Sequence, residues 1–233
     1  MLLPSGQEFV NGDRETRWSA DRLEFDVRAI DPAKAQAARE AADGIFRVWN
    51  RFVPGTSFGT PRSEYLRLLT SRGRELAAEY DAVTQNPELD CQQGMPKTMT
   101  DPTPFQIING IERIIIRQQE YDIERIIYMG EQGNAEPQAS RLGYSVGRWE
   151  DDVLVVDTIN VDWPYFDQFG TPQSDQARFR ETFALSEEGD RLNYAITITD
   201  SIMFTAPFTI ERTRGWTPGV EIEPYDCVAE WGE

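Results

Sequence analysis

The sequence predicts a mainly β fold: an antiparallel meander closed into a barrel or a strongly curved sheet, with helices ahead of it. Three observations carry this. From Cys91 onward, short runs rich in Ile, Val, Phe and Tyr alternate apolar and polar residues. Turn residues separate those runs at close intervals. Before Cys91, apolar residues recur at helical spacing instead.

Residues 1–30 are polar and mixed, and read as an extension or the remnant of a preceding domain. Residues 31–90 read as a helical region packing on the barrel. Asp31-Pro32 starts a helix, with Asp as N-cap and Pro in the first turn. Ala-rich sequence continues to Ala42, and residues 45–49 read as a strand. Pro54-Gly55 and Gly59-Thr60-Pro61 break anything longer. A second helix is expected over 63–82, where Tyr65, Leu66, Leu69, Leu76 and Tyr80 form a stripe that Gly73 could divide.

Residues 91–233 read as the β domain. Strands are expected at 104–108, 111–118 and 123–129, with a turn at Glu120-Tyr121-Asp122. A polar loop over 130–140 leads to a hairpin of 143–149 and 153–159 around Asp151-Asp152. A two-residue loop there sets Trp149 against Leu154, Arg148 against Val155 and Val146 against Asp157. An aromatic loop with Trp163, Phe166 and Phe169 follows. Strands at 177–185 and 191–200 flank Glu188-Gly189-Asp190, and a last one covers 208–213. Such consecutive hairpins suggest a lipocalin-like barrel or bent sheet.

Of 233 residues, 39% are hydrophobic, enough for a sizeable core, and no apolar run approaches the roughly 20 residues of a spanning helix. Neither membrane insertion nor nucleic-acid binding is expected, because a net charge of −17 repels anionic surfaces and phosphate backbones. Histidine is absent. That removes the commonest general base and metal ligand, and with it any Ser-His-Asp triad or Cys-His pair. With no P-loop and no G-x-G-x-x-G, no cofactor or metal is expected, and acid–base chemistry falls to Asp, Glu, Tyr, Lys or Arg.

Several segments recur together in one family of proteins. They are Asp90-Cys91, Gly94-Met95-Pro96-Lys97, Pro104-Phe105-Gln106-Ile107 and Arg125-Ile126-Ile127-Tyr128-Met129. The most specific are Gly143-Tyr144-Ser145-Val146-Gly147-Arg148-Trp149-Glu150 and Asp152 with Leu154-Val155-Val156-Asp157-Thr158. Gly170-Thr171-Pro172-Gln173-Ser174-Asp175 and Tyr225-Asp226-Cys227 are weaker. Across roughly residues 69–230 the chain resembles a family of uncharacterised exported bacterial β domains. The family's histidines near Asn134–Pro137 and at the positions of Tyr144 and Gln173 are replaced here. The resemblance therefore implies a metal-free variant. It also implies a periplasmic or secreted location, with any export signal removed or never present, since Met1-Leu2-Leu3-Pro4 lacks a signal peptide's layout.

Cys91 and Cys227 are the two cysteines. They could carry a reactive thiol, but a disulfide is the better reading in an exported-looking chain. It would tie the start of the β domain to its end.

Strand alternation nominates acids. Glu181 shares a face with Phe179 and Phe183. If that face is the interior, its carboxyl would be raised by burial into a usable proton shuttle or be paired with an Arg for structural reasons; the other reading is an exposed aromatic face. Asp157 lies diagonal to Arg148 and Tyr144, either as an interior polar cluster or as an Arg148–Asp157 cross-strand salt bridge. Asp200 shares a face with Tyr194 at a strand end. The aromatic loop is either a lid or local packing that closes one barrel end. The catalytic candidates are thus Glu181, Asp157, Tyr144 and Arg148. The ligand-contact candidates are Tyr128, Trp163, Phe166, Phe179, Phe183, Tyr194 and Asp200.

These residues suit a cofactor-independent lyase, isomerase or cyclase acting on a hydrophobic small molecule, aromatic ones included, in a barrel pocket. The same lining would suit a non-catalytic carrier of a lipophilic ligand, and a ligand-free structural envelope protein is the third reading. A homodimer is compatible with each.

Overall fold

A computed structural model describes residues 9–11, 14–19, 22–24, 30–50, 61–130 and 137–228. The breaks expected around Pro54-Gly55 and Gly59-Thr60, and the loop at Asn134, lie outside these residues.

Two compact units emerge, residues 1–41 with 218–220, and residues 42–217 with 221–233. In the first, β1 (Phe9–Asn11), β2 (Arg14–Ser19) and β3 (Arg22–Glu24) form a three-stranded antiparallel sheet. Helix α1 (Pro32–Glu40) starts as expected, with the Asp31 carboxylate accepting from Ala33 N–H at 2.8 Å.

The second unit is a closed barrel of nine strands. They are β4 (Val48–Asn50), β5 (Phe105–Asn109), β6 (Arg113–Gln118), β7 (Ile123–Met129), β8 (Tyr144–Glu150), β9 (Val153–Ile159), β10 (Arg178–Leu185), β11 (Arg191–Thr199) and β12 (Phe208–Trp216). Each strand pairs with the next in sequence, and β12 returns to β4 through Gly215↔Asn50 and Trp216↔Trp49. The barrel thus draws its closing strand from before Cys91. Its last strand runs to Trp216, beyond the expected 213, because those extra residues make the closing pair.

The expected purely antiparallel meander needs one correction. β7 and β8 are parallel, with Ile127↔Ser145 and Met129↔Gly147. Parity explains it. Directions that alternate around an odd number of strands cannot close without one parallel junction. A parallel junction needs a chain return from one end of the barrel to the other, and the long 130–143 connection supplies its length. The β8–β9 hairpin has the expected register, Trp149↔Leu154 through Val146↔Asp157.

The helix expected over 63–82 is two helices, α2 (Arg62–Leu66) and α3 (Ser71–Glu79). The break falls at Leu69, which bridges to Phe204, and Thr70 then caps α3 by accepting from Gly73 N–H at 3.0 Å. Gly73 sits inside α3 rather than at the break. A Cβ there would lie 2.7 Å from the Met203 carbonyl oxygen, so its size is what the packing requires.

Alternation puts Ile107, Ile116, Ile127, Leu154, Val156, Phe179, Phe183, Ile196 and Ile210 in one buried cluster. Helix α4 (Lys97–Thr100) sits just before β5, and the adjoining Met95 meets the segments that lead into β8 and β10, donating to the Arg141 carbonyl at 2.9 Å and accepting from Gln173 at 2.8 Å. Lys97, Thr98 and Met99 are buried, and Met95 and Met99 join the core cluster. Arg212 and Arg214 hold its last turn, donating to the carbonyls of Thr100 (3.2 Å), Met99 (3.4 Å) and Asp101. They thereby satisfy oxygens that a helix end leaves without intrahelical donors.

Candidate functional site

Glu181 lies inside the barrel with Phe179 and Phe183, the residues with which strand alternation puts it on one face. It is not alone. Arg125 from β7 grips it with two donors, Nη1 to Oε1 at 2.9 Å and Nη2 to Oε2. Tyr194 from β11 donates to Oε1 at 2.9 Å. Thr158 and Ser145 accept from the same guanidinium at 2.8 and 3.0 Å. Glu181 and Arg125 are 0% and 1% exposed. Burial pulls Arg125 down, but Glu181 outweighs it and holds the guanidinium above its ordinary value. Burial, then Glu181, push the Tyr194 phenol well up. A carboxylate enclosed by these donors has no free edge to offer a substrate. Of the readings of Glu181, the structure shows the Arg-paired one.

Asp157 takes its second reading too. It points outward and meets Arg148 at 2.7 Å, with side chains 46% and 43% exposed. Glu150 and Arg180 extend this surface ladder. Tyr144 also faces outward, stacked on Tyr128 with ring centroids 5.2 Å apart. The interior cluster of Asp, Arg and Tyr is therefore corrected to an exterior one: in β8 and β9, Ser145 and Thr158 hold the inward positions.

The aromatic loop closes one barrel end by packing. Phe166 is buried against Tyr65, Phe204 and Phe208 at 4.9–6.0 Å. Trp163 packs over Gly94, where a Cβ would lie 2.5 Å from its ring. Asp200 is a turn anchor, accepting from Ser174 N–H (2.7 Å), Ser174 Oγ (2.9 Å), Ile202 N–H and Met203 N–H.

A different group of ionisable side chains gathers at the α4 end. Lys97 Nζ meets Asp101 and lies 3.0 Å from Glu88 Oε1. Gln93 Nε2 donates to Glu120 Oε2 at 3.3 Å and Asp101 Oδ2 at 3.5 Å. The Gln93 amide oxygen is buried and has no donor among the described residues. Burial raises the Lys97 problem in one direction and its partners in the other: desolvation lowers the ammonium, while Asp101 and Glu88 more than restore it. Burial and the neighbouring Asp101 push the Glu120 carboxyl up to about 7, against the opposing pull of Lys97. Glu120 is only half-buried. It combines a near-neutral proton affinity with access to solvent, which Glu181 lacks.

The disulfide builds this corner. Cys91 and Cys227 are bonded, with Cα atoms 6.0 Å apart. Cys91 stands between Glu88 and Gln93 in the chain. On the other side of the bond, Tyr225 packs edge-on to Tyr121 at 5.2 Å, and its N–H donates to the Asp122 carboxylate at 3.2 Å. Tyr121 and Asp122 hold left-handed φ values of 57° and 47°, a local strain beside Glu120. Among the described residues, no group of three His, Cys, Asp or Glu side chains is placed to hold a metal.

Sequence reasoning missed Glu120, which looked like ordinary turn chemistry, and Lys97 and Asp101, which lie outside any periodic run. Arg125 was findable: it alternates with Ile123 and Ile127 on an otherwise apolar face. No protein-family model matches the chain, and neither does any curated protein or solved structure.

Proposed function

We propose that the protein is a cofactor-independent acid–base enzyme, a lyase or isomerase of a hydrophobic small molecule, with Glu120 as the proton-transferring group. One observation carries the reading: a half-buried carboxyl at about 7, set beside Lys97, Asp101 and Gln93 at the plugged end of the barrel. A carboxyl near the working pH exists in both forms, so it can take a proton from carbon and return it elsewhere. Proton removal from one position and return to another is an isomerisation. Loss of a leaving group after removal is an elimination. Neither needs an oxidant or a cofactor. The disulfide and the resemblance to exported domains support a periplasmic or secreted location. Among the described residues, no helix is long and apolar enough to cross a membrane.

The test requires no knowledge of the product. Incubating the protein in D2O with a panel of small aromatic carbon acids, and reading deuterium uptake by mass spectrometry, detects proton abstraction directly. Uptake with the wild type, loss with Glu120→Gln and retention with the surface variant Asp157→Asn is expected. Equal uptake with Glu120→Gln, or none with any protein, rejects the reading. In the second case the carrier function is preferred.

A further inference from the structure

Among the described residues, Arg212 is an inward-facing cation with no carboxylate in hydrogen-bonding contact. On β12 the inward row runs Phe208, Ile210, Arg212, Arg214, and Arg212 stands directly opposite Tyr194. It donates to uncharged groups, Nε to the Thr100 carbonyl at 3.2 Å and Nη1 to the Glu211 carbonyl at 2.9 Å. Among the described residues no carboxylate pairs with it, in contrast to Arg125, whose charge Glu181 meets inside the same barrel. Its neighbours are Tyr194, Tyr65 and Asp101. The two phenols are already committed, Tyr194 to Glu181 and Tyr65 to Asp167 at 3.1 Å. Asp101 is engaged by Lys97.

A partly desolvated guanidinium is costly to leave unpaired, and its flat fork matches a carboxylate better than any other small anion. Capping α4 uses Nε and the Glu211 carbonyl takes Nη1, which among the described residues leaves Nη2 to meet an anion. The surroundings add shape: Tyr65 of α2 stacks on Phe208, the first inward residue of β12, with centroids 5.3 Å apart and planes 15° apart. The net charge of −17 repels anions at long range. Any anion that binds here is held by local pairing, which favours a small monoanion over a polyanion.

We propose that Arg212 anchors a small aromatic carboxylate at the plugged end of the barrel. This deepens the acid–base reading, on which it rests for the meaning of the site, by naming the substrate class: Arg212 holds the carboxylate while Glu120, which has Asp101 as a charged neighbour in common with Arg212, moves the proton.

Calorimetric titration of the full disulfide-bonded chain tests it, with benzoate as probe and benzyl alcohol and inorganic phosphate as controls. Saturable benzoate binding is expected. It should weaken at least tenfold in Arg212→Lys and vanish in Arg212→Gln, but persist in Glu120→Gln. Melting curves establish that each variant is folded, and Arg212→Lys carries the test if Arg212→Gln is not. No benzoate binding by the wild type, equal binding of benzyl alcohol or phosphate, or undiminished binding by Arg212→Lys overturns the proposal and leaves Arg212 as a cap for α4. Because the readout is binding, its outcome is independent of deuterium uptake. Benzoate binding without uptake removes the enzyme and keeps the anchor, whereas uptake from uncharged compounds alone does the reverse.

Discussion

Glu181 and Arg125 form a doubly hydrogen-bonded ion pair enclosed by the barrel, with Tyr194, Ser145 and Thr158 satisfying their remaining edges. Such a pair is replaceable as a unit but not by halves. Glu181→Gln leaves a buried guanidinium without its counter-charge and should cost roughly 3–5 kcal/mol. The double variant Arg125→Met, Glu181→Leu should recover most of that loss. Urea unfolding of the three proteins checks both; a single variant as stable as wild type contradicts the structural role.

Glu120 gives a pH dependence with a definite sign. Its carboxyl is at about 7 in the folded protein against 4.5 ordinarily. Between those values the folded state binds more protons than the unfolded, so this contribution is complete below about pH 4.5 and lost as pH rises through 7. Glu88, Asp101 and Lys97 face the same carboxyl, and Tyr121 and Tyr225 lie beside it. Replacing it by a neutral isostere removes the decline. Glu120→Gln should therefore gain on the order of 1–2 kcal/mol relative to wild type between pH 5 and 8, after allowance for solvent screening. Melting temperatures of both proteins across that range decide it, and parallel curves contradict it.

Opening the Cys91–Cys227 bond should do two things. It frees a loop with a sequence separation of 136, which the chain-entropy model values at about 4–5 kcal/mol. It also releases the Tyr225 segment and the chain between Glu88 and Gln93, so Glu120 becomes more hydrated and its carboxyl falls toward the ordinary range. The Cys91→Ser, Cys227→Ser variant, if folded, should show a weaker pH dependence as well as a lower melting temperature.

Asp157→Asn should change stability by less than about 1 kcal/mol, because its pair with Arg148 is exposed and Arg148 keeps Glu150 at 2.6 Å. Any difference should shrink in 0.5 M salt. Thermal melts at low and high salt measure it, and a loss of several kcal/mol contradicts a surface role.

Strand positions were legible because period-two alternation and turn residues report local geometry. The β8–β9 register, the face that Glu181 has in common with Phe179 and Phe183, and the α1 cap all followed from such patterns. The parallel β7–β8 junction was not, since it follows from the parity of the closed ring, a property of all nine strands together. The face of Asp157 was ambiguous for a related reason. Val155 beside it is buried although it points outward, so apolar neighbours did not mark the interior. The Glu120 corner was invisible because its members come from three segments far apart in the chain, 88–101, 120–122 and 225–227, joined by the disulfide and by hydrogen bonds at the turn after β6.

The most direct measurement is the titration of the Glu120 carboxyl itself, by carbon NMR of protein labelled at glutamate side chains, with Glu120→Gln assigning the signal. The account predicts a midpoint near 7 in the disulfide-bonded protein. A midpoint in the ordinary carboxylate range, near 4.5, would contradict it.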